Sequence, residues 1–172
     1  MTINDFKLLI MKKISVTFIL LAIISAACCK EKASLSGPEN DKEKQLVEKT
    51  IHSCIGWAGK KDLELLHSVI ANDPDYLEVD PENRVVRGFE DFRKAEKMWM
   101  SPDFQAVRYE IRDLTISISQ SGDVAWWFCM LDDINTWQGN PASWLNTRWT
   151  GVMEKRKGKW VIAQMHFSFA KE

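Results

Sequence analysis

The sequence lacks an excess of either charge, because its 23 Lys and Arg residues nearly balance its 24 Asp and Glu residues. This balance gives no electrostatic reason to expect a nucleic acid as partner, and none is expected. Histidine is scarce, with 3 residues, and the chain has neither a Cys-x-x-Cys nor a His-Glu-x-x-His motif. The sequence therefore predicts no zinc site, and no motif in it points to another metal or to a cofactor.

The chain also lacks an apolar run long enough to cross a membrane as a helix, which takes about 20 residues. Its apolar run at 14–24 follows Lys12 and Lys13 and precedes the small residues Ser25, Ala26 and Ala27. A basic start, a short apolar run and small residues are typical of a signal peptide, for which Met11 is an alternative start. A retained membrane anchor is the weaker alternative.

Cys28 directly follows these small residues, an arrangement that resembles the cleavage site of bacterial lipoproteins. The resemblance implies that residues 1–27 are removed and that Cys28 carries the lipid. It also implies a membrane-anchored protein of the bacterial cell envelope, on its periplasmic or outer-surface side. A plain secretory signal and cleavage before Cys29 are the alternatives. The polar residues 28–44 are predicted to form a flexible tether.

The two remaining cysteines, Cys54 and Cys129, lie in apolar segments. In an oxidising compartment they form either a disulfide or two separate buried thiols, and the sequence leaves both alternatives open.

Three helices are predicted in the first half of the remaining chain. From 41 to 58 the apolar residues recur at three- and four-residue steps, which predicts an amphipathic helix ended by Gly59. Asp62 is a suitable N-cap for a second helix at 63–70. Two short strands at 76–79 and 85–86 precede a third helix that starts after Gly88 and turns Phe89, Phe92, Ala95 and Trp99 inward.

After Pro102 the apolar pattern changes to a period of two, which predicts four long strands at 105–119, 124–135, 143–155 and 159–170. In the first of them the apolar set slips by one residue, which predicts a β-bulge near Asp113. Helices followed by an antiparallel meander define an α+β domain with helices on one sheet face.

This order of elements, with the Ser-Gly-Asp-Val-Ala-Trp turn at 121–126 and the closing strand at 160–168, resembles the SnoaL-like branch of the nuclear transport factor 2-like superfamily. The resemblance covers the mature domain, taken as 45–172. It implies a cone in which a strongly bent antiparallel sheet wraps three N-terminal helices and leaves a pocket open at one end. Members of the superfamily include isomerases, cyclases, dehydratases and noncatalytic binding proteins, so the fold leaves function open.

The inner face of the sheet is predicted from alternation in the last strand, where Met165 and Phe167 belong to the apolar set. The resemblance extends this register to the neighbouring strands. The expected pocket is apolar, with Asp133 and Tyr76 as polar points. Its predicted residues are Tyr76, Trp127, Cys129, Leu131, Asp133, Trp149, Met165 and Phe167.

The opposite, convex face is too apolar to be expected in water, and relatives commonly dimerise through it. The predicted interface of a homodimer consists of Trp126, Phe128, Met130, Arg148, Ile162 and His166. Trp144 is assigned to the same face, and Arg148 is predicted to form a cross-strand ion pair with Asp132.

Asp80 is the candidate catalytic base, because it resembles the base of ketosteroid-isomerase-like relatives; ordinary Asp-Pro turn chemistry is the alternative. The two hydrogen-bond donors of that pattern do not carry over, since Cys54 and Gly151 stand near their positions.

Three functions follow from these features. The first is a noncatalytic module at the envelope that binds a small apolar ligand or whose cone is filled by Trp and Phe. The second is an acid–base enzyme, an isomerase, dehydratase or cyclase, acting on a hydrophobic carbonyl compound through Asp80 with Tyr76 or Asp133. The third is a dimeric scaffold that binds another envelope protein.

Overall fold

The computed structural model describes residues 37–170. The predicted signal peptide, the predicted lipid attachment site Cys28 and the first part of the predicted tether lie outside the described residues. Within residues 37–170, no helix has the length and apolar character to cross a membrane.

The first helix, α1, spans Pro38–Gly56 and continues into a 3₁₀ turn at Trp57–Gly59. It begins inside the predicted tether, so residues 38–44 are helical and the tether prediction is wrong for them. The reason is a tertiary contact of Glu43, whose carboxylate accepts hydrogen bonds from Lys155 Nζ at 2.6 Å and Trp160 Nε1 at 2.8 Å. Burial opposes ionisation of Glu43, but these two donors outweigh it and lower its pKa.

The remaining helices are short. Helix α2 spans Leu63–Val69, and the Asp62 carboxylate accepts from Leu65 N at 2.9 Å, as expected of an N-cap. The predicted third helix is divided into α3 at Phe89–Phe92, a 3₁₀ turn at Arg93–Ala95 and α4 at Glu96–Trp99. Phe89 and Phe92 are buried as predicted, and they stack with centroids 5.9 Å apart.

Within the described residues, seven strands form one curved sheet in the order β2-β1-β7-β6-β4-β3, with β5 paired to β4. The strands are β1 Leu77–Val79, β2 Val85–Arg87, β3 Phe104–Ile118, β4 Val124–Trp137, β5 Asn140–Pro141, β6 Trp144–Arg156 and β7 Lys159–Ser168. The four long strands pair antiparallel, which confirms the predicted meander and the α+β class. The sheet is nevertheless mixed, because β1 runs parallel to β7.

Register shifts bend the sheet at three places that matter for the site. Asp113 has a φ of 54° beside a shift in the β3–β4 pairing, which confirms the predicted bulge. A second shift lies in the β4–β6 pairing between Leu131 and Asp133, near Asn146, which has a φ of 49°. A third lies in the β6–β7 pairing, where Val152 pairs with Gln164 but Met153 pairs with Ile162.

The second and third shifts overturn two predicted orientations. Because β6 carries an extra residue, Trp144 pairs with Asp133 and faces inward. There its ring packs against that of Phe167, with the ring centroids 5.2 Å apart. Because β7 carries an extra residue, Ile162 faces the core, fully buried, and is not part of the convex surface. Ile162 also accepts a hydrogen bond from Ala71 N through its carbonyl oxygen at 2.8 Å.

The core lies between the helices and the inner sheet face. Trp127 meets Trp149 edge to face at 5.5 Å, and Trp149 stacks on Phe167 at 5.4 Å. Gly151 makes this packing possible, since a Cβ at 151 would lie 2.1 Å from Trp127 Cη2 and 2.6 Å from Gln164 O. A side chain at 151, such as the second acidic donor of ketosteroid-isomerase-like relatives, is therefore incompatible with the position of Trp127.

Candidate ligand-binding site

A cavity of about 480 Å³ remains between the helices and the sheet. Its wall is mostly apolar and aromatic, with contributions from α1, α2, the α3–α4 segment and five strands. Of the predicted pocket residues, Asp133, Met165 and Phe167 line this cavity. The others are buried in the packed core beside it, and these are Tyr76, Trp127, Cys129, Leu131 and Trp149.

The main polar group of the site is the carboxylate hairpin, by which we mean Glu78, Asp80 and Arg84. The β1–β2 turn is closed by a hydrogen bond from Asp80 N to Arg84 O at 2.9 Å. Arg84 Nη1 lies 2.7 Å from Asp80 Oδ2 and 3.9 Å from Glu78 Oε1. Both carboxyl side chains are more than nine-tenths buried, with 6% of Glu78 and 7% of Asp80 exposed, and all three residues line the cavity.

Tyr76 supports this hairpin from inside the core. Its hydroxyl donates a hydrogen bond to Glu78 Oε2 at 2.7 Å, so the same proton cannot be donated to a ligand. Its burial and the nearby Glu78 charge raise the pKa of the Tyr76 hydroxyl far above its ordinary value. Tyr76 therefore holds Glu78 in place as a neutral phenol.

Glu78 titrates near neutrality in this setting. Burial raises its pKa from 4.5 to about 7. The hydrogen bond from Tyr76 acts against this rise, and the neighbouring Asp80 carboxylate adds to it. Two carboxyl groups that share so little solvent disfavour being ionised together, so Glu78 holds a proton below about pH 7.

Glu78 was not among the predicted site residues. Tyr76, Glu78 and Asp80 alternate with period two, which was a signal that they share one face. The signal is weak, because a charged residue in a short strand usually faces solvent.

Asp133 and Asn135, on β4, line the same cavity. Burial raises the pKa of Asp133, and a hydrogen bond from the Asn135 side chain acts in the opposite direction. Burial raises the pKa of the Cys54 thiol, and the charges of Glu78 and Asp133 raise it further. Cys54 therefore lies near both acidic side chains. The two acidic regions therefore converge around one end of α1.

Two buried acceptors in the site have no partner. Among the residues that the structure describes, neither Asp80 Oδ1 nor Asn135 Oδ1 receives a hydrogen bond, although both are buried. Leaving a buried acceptor unpaired costs on the order of 1–3 kcal/mol. Within residues 37–170, no cluster of three or more His, Cys, Asp or Glu side chains is arranged to hold a metal ion.

Cys54 and Cys129 are separate, buried thiols. Of the two alternatives left open by the sequence, the structure therefore has no disulfide between them. Burial raises the pKa of Cys129 to about 12 and that of Cys54 further, so both remain protonated at neutral pH.

The convex face carries most of the predicted interface residues. Trp126 is 50% exposed and Phe128 38% exposed, while Met130, Arg148 and His166 are at least partly exposed. The predicted ion pair between Arg148 and Asp132 is wrong. Arg148 donates a hydrogen bond to the Phe169 carbonyl oxygen. Asp132 instead accepts hydrogen bonds from the Arg112 guanidinium and from the backbone N–H of Asn146.

The sequence and the structure were compared with those of known proteins. No curated protein sequence matches the chain. A dehydratase candidate of the NTF2-like family from Streptomyces avermitilis has a similar structure, with a TM-score of 0.66 and 18% identity over 77% of this chain and 99% of that one. A scytalone dehydratase candidate from Novosphingobium aromaticivorans has a TM-score of 0.65 and 12% identity, covering 77% and 87% of the two chains.

A further similar structure is an NTF2-like protein from Cytophaga hutchinsonii, with a TM-score of 0.60 and 13% identity over 74% of this chain and 98% of that one. At these identities the likeness concerns the fold alone, and it confirms the nuclear transport factor 2-like cone. The family model for the SnoaL-like domain matches residues 47–172. The chain therefore belongs to the SnoaL-like domain family.

Proposed function

We propose that this protein is an envelope-anchored module that binds a small, largely apolar molecule in its cavity. The observation that carries the proposal is the cavity itself, about 480 Å³ in a domain whose tryptophans and phenylalanines leave it unfilled. Ligand pockets in proteins typically measure about 300–1,000 Å³ and combine apolar walls with a few convergent polar groups. The carboxylate hairpin and Asp133 supply those polar groups.

Cavity occupancy can be tested by native mass spectrometry of the purified protein. The proposal predicts a copurified small molecule, or binding of added apolar compounds that changes the fluorescence of Trp99, Trp137 and Trp144, which line the cavity. Ala142→Trp places bulk at a lining position and should abolish binding, whereas Ala170→Trp, at an exposed position outside the lining, should not. Absence of any bound molecule, together with an unchanged fluorescence signal across the compounds, would overturn the proposal.

Acid–base catalysis on a hydrophobic carbonyl compound is the second candidate, favoured by the two adjacent carboxyl groups, Glu78 and Asp80, at the cavity wall. A carboxyl group with a pKa of about 7 is suited to both accept and donate a proton at neutral pH. The Tyr76 hydroxyl donates to Glu78, so Asp133, whose pKa burial raises, is the remaining carboxyl group that could act as a donor in this reaction.

Proton–deuterium exchange at the carbon next to the carbonyl of hydrophobic ketones, followed by NMR in D₂O, tests this second candidate. Asp80→Asn should abolish exchange while circular dichroism shows that the variant is still folded, and Glu82→Gln, in the exposed part of the same turn, should retain exchange. Equal exchange in wild type and Asp80→Asn would reject catalysis.

The envelope location is supported by the signal-like segment 1–27 and the cysteine that follows it. Labelling of cells with a radioactive fatty acid should mark the wild-type protein and Cys29→Ala but not Cys28→Ala. Label that persists in Cys28→Ala would contradict lipid attachment at that residue.

The convex face supports a homodimer, because it exposes two large apolar side chains, Trp126 and Phe128. Both lie on β4, where that strand pairs with β3. Trp126→Ser should shift the sedimentation coefficient from dimer to monomer. Val85→Ser, which removes an exposed apolar residue from the opposite edge of the sheet, should leave the dimer intact. Identical sedimentation of wild type and Trp126→Ser would reject this interface.

A further inference from the structure

The charged side chains that line the cavity are mostly acidic. We propose that the cavity takes an organic cation, a protonated amine carried on an apolar body, with the ammonium group between the carboxylate hairpin and Asn135. This inference rests on the proposed binding function and deepens it by naming the ligand class.

The first argument is the balance of charge in the lining. Among the described residues, three carboxyl groups line the cavity, those of Glu78, Asp80 and Asp133, against the single guanidinium of Arg84. Arg84 is 47% exposed, and its Nη1 is already bound to Asp80 Oδ2 at 2.7 Å. An anionic ligand would therefore approach buried carboxyl groups whose one lining cation is already paired, whereas a cation restores neutrality.

The second argument is the kind of hydrogen-bonding capacity left unused. In residues 37–170, five buried side-chain atoms have no partner, and two of them, Asp80 Oδ1 and Asn135 Oδ1, belong to residues that line the cavity. Both are acceptors. The Asn135 side chain lowers the pKa of Asp133, while its own Oδ1 receives no hydrogen bond among the described residues. An ammonium group brings three donors and no acceptor, and so complements this pair.

The third argument is the wall that surrounds these acceptors. Aromatic rings from helices and strands along the chain line the cavity, including Trp57, Phe92, Trp99, Trp137, Trp144 and Phe167. Ring faces attract cations and also bury the apolar body of a ligand. A purely apolar molecule would satisfy the rings but would leave the two acceptors unpaired.

A proton on Glu78 competes with the ammonium group, because it neutralises the same hairpin. The groups that face Glu78 are Tyr76 just before its own strand, Asp80 and Arg84 from the turn, and Cys54 from α1, with Asp133 nearby on β4. Burial raises the pKa of Glu78 to about 7, so its carboxyl group changes charge around neutral pH. Amine binding should therefore strengthen as the pH rises from 5.5 to 8, while binding of a neutral analogue should not.

The experiment compares three probes with one apolar body: 3-phenylpropylamine, 3-phenylpropanol and 3-phenylpropionate, titrated calorimetrically at pH 8. The amine should bind at least about tenfold more tightly than the alcohol, and the carboxylate should bind least, because charge-assisted hydrogen bonds are the stronger kind. Asp80→Asn and, as a second variant, Asp133→Asn should remove most of the advantage of the amine. Glu82→Gln, exposed in the same turn, should keep it.

The outcomes separate this inference from the function on which it rests. Binding of the alcohol or carboxylate as tightly as the amine would overturn the inference and leave the apolar binding function standing. Binding of none of the three probes would overturn both. An amine preference that survives in Asp80→Asn and Asp133→Asn would also overturn it, because the preference would then arise elsewhere.

Discussion

The buried Glu78 makes a prediction about stability that runs against the usual behaviour of paired carboxylates. Its pKa in the folded protein is raised, so its contribution to stability is fully present below the ordinary value of 4.5 and is lost as the pH rises through about 7. Each pKa unit corresponds to about 1.4 kcal/mol. A rise from 4.5 to about 7 therefore corresponds to a loss of about 3 kcal/mol of unfolding free energy above neutrality.

Glu78→Gln should remove this loss, because glutamine keeps the size of the side chain, accepts the hydrogen bond from Tyr76 and carries no charge. At pH 5 the variant should be more stable than the wild type by only about 1 kcal/mol, because most of the loss develops at higher pH. At pH 8 the variant should be more stable by about 3 kcal/mol. Urea denaturation at both pH values, followed by tryptophan fluorescence, gives the difference directly.

The matched control is Glu82→Gln, an exposed glutamate two residues beyond Asp80, which should follow the wild type at both pH values. A variant Glu78→Gln whose stability runs parallel to that of the wild type from pH 5 to pH 8 would refute the argument. It would mean that Glu78 stays ionised despite its burial.

Three further predictions concern the core, the first helix and the thiols. Gly151→Ala should lower the unfolding free energy by about 1–3 kcal/mol in urea denaturation, because the new Cβ meets Trp127, whereas Gly59→Ala, with open space around it, should not. Glu43→Gln should cost about 1 kcal/mol and raise hydrogen exchange at the start of α1, an effect that exposed Glu48→Gln should lack. Cys54 should resist a thiol reagent at pH 8 until the protein is unfolded; rapid reaction of the native protein would contradict its burial.

The elements of the fold were largely predictable, because local patterns determine them. The spacing of Val47, Ile51 and Cys54 is that of an amphipathic helix, and these residues are buried. The slip of the apolar set beside Asp113 coincides with the bulge in β3, because an extra residue in a strand shifts every later side chain to the other face. The meander followed from period-two alternation between tight turns such as Lys157 and Gly158, both of which have positive φ angles.

What could not be predicted depends on contacts between distant segments. The extra residue in β7 is hidden in the sequence, because residues 160–163 are all apolar and fit either face of the strand. The inward orientations of Ile162 and Trp144 therefore depend on pairing with the neighbouring strands. The parallel pairing of β1 with β7 is likewise non-local. Without that pairing, Glu78 appears as a charged residue in a short exposed strand, and its place in the cavity wall stays hidden.

The same parallel pairing has a consequence for how the protein matures. Strand β1, which leads into the carboxylate hairpin, pairs with β7. Trp160, at the start of β7, donates a hydrogen bond to Glu43, which lies 117 residues earlier in the chain. Both contacts join segments that are distant in the sequence and need β7 as a partner. A chain still being synthesised has neither contact, so the wall of the cavity at Glu78 is complete only when the last strand is in place, and a chain truncated before residue 164 lacks the partner of β1.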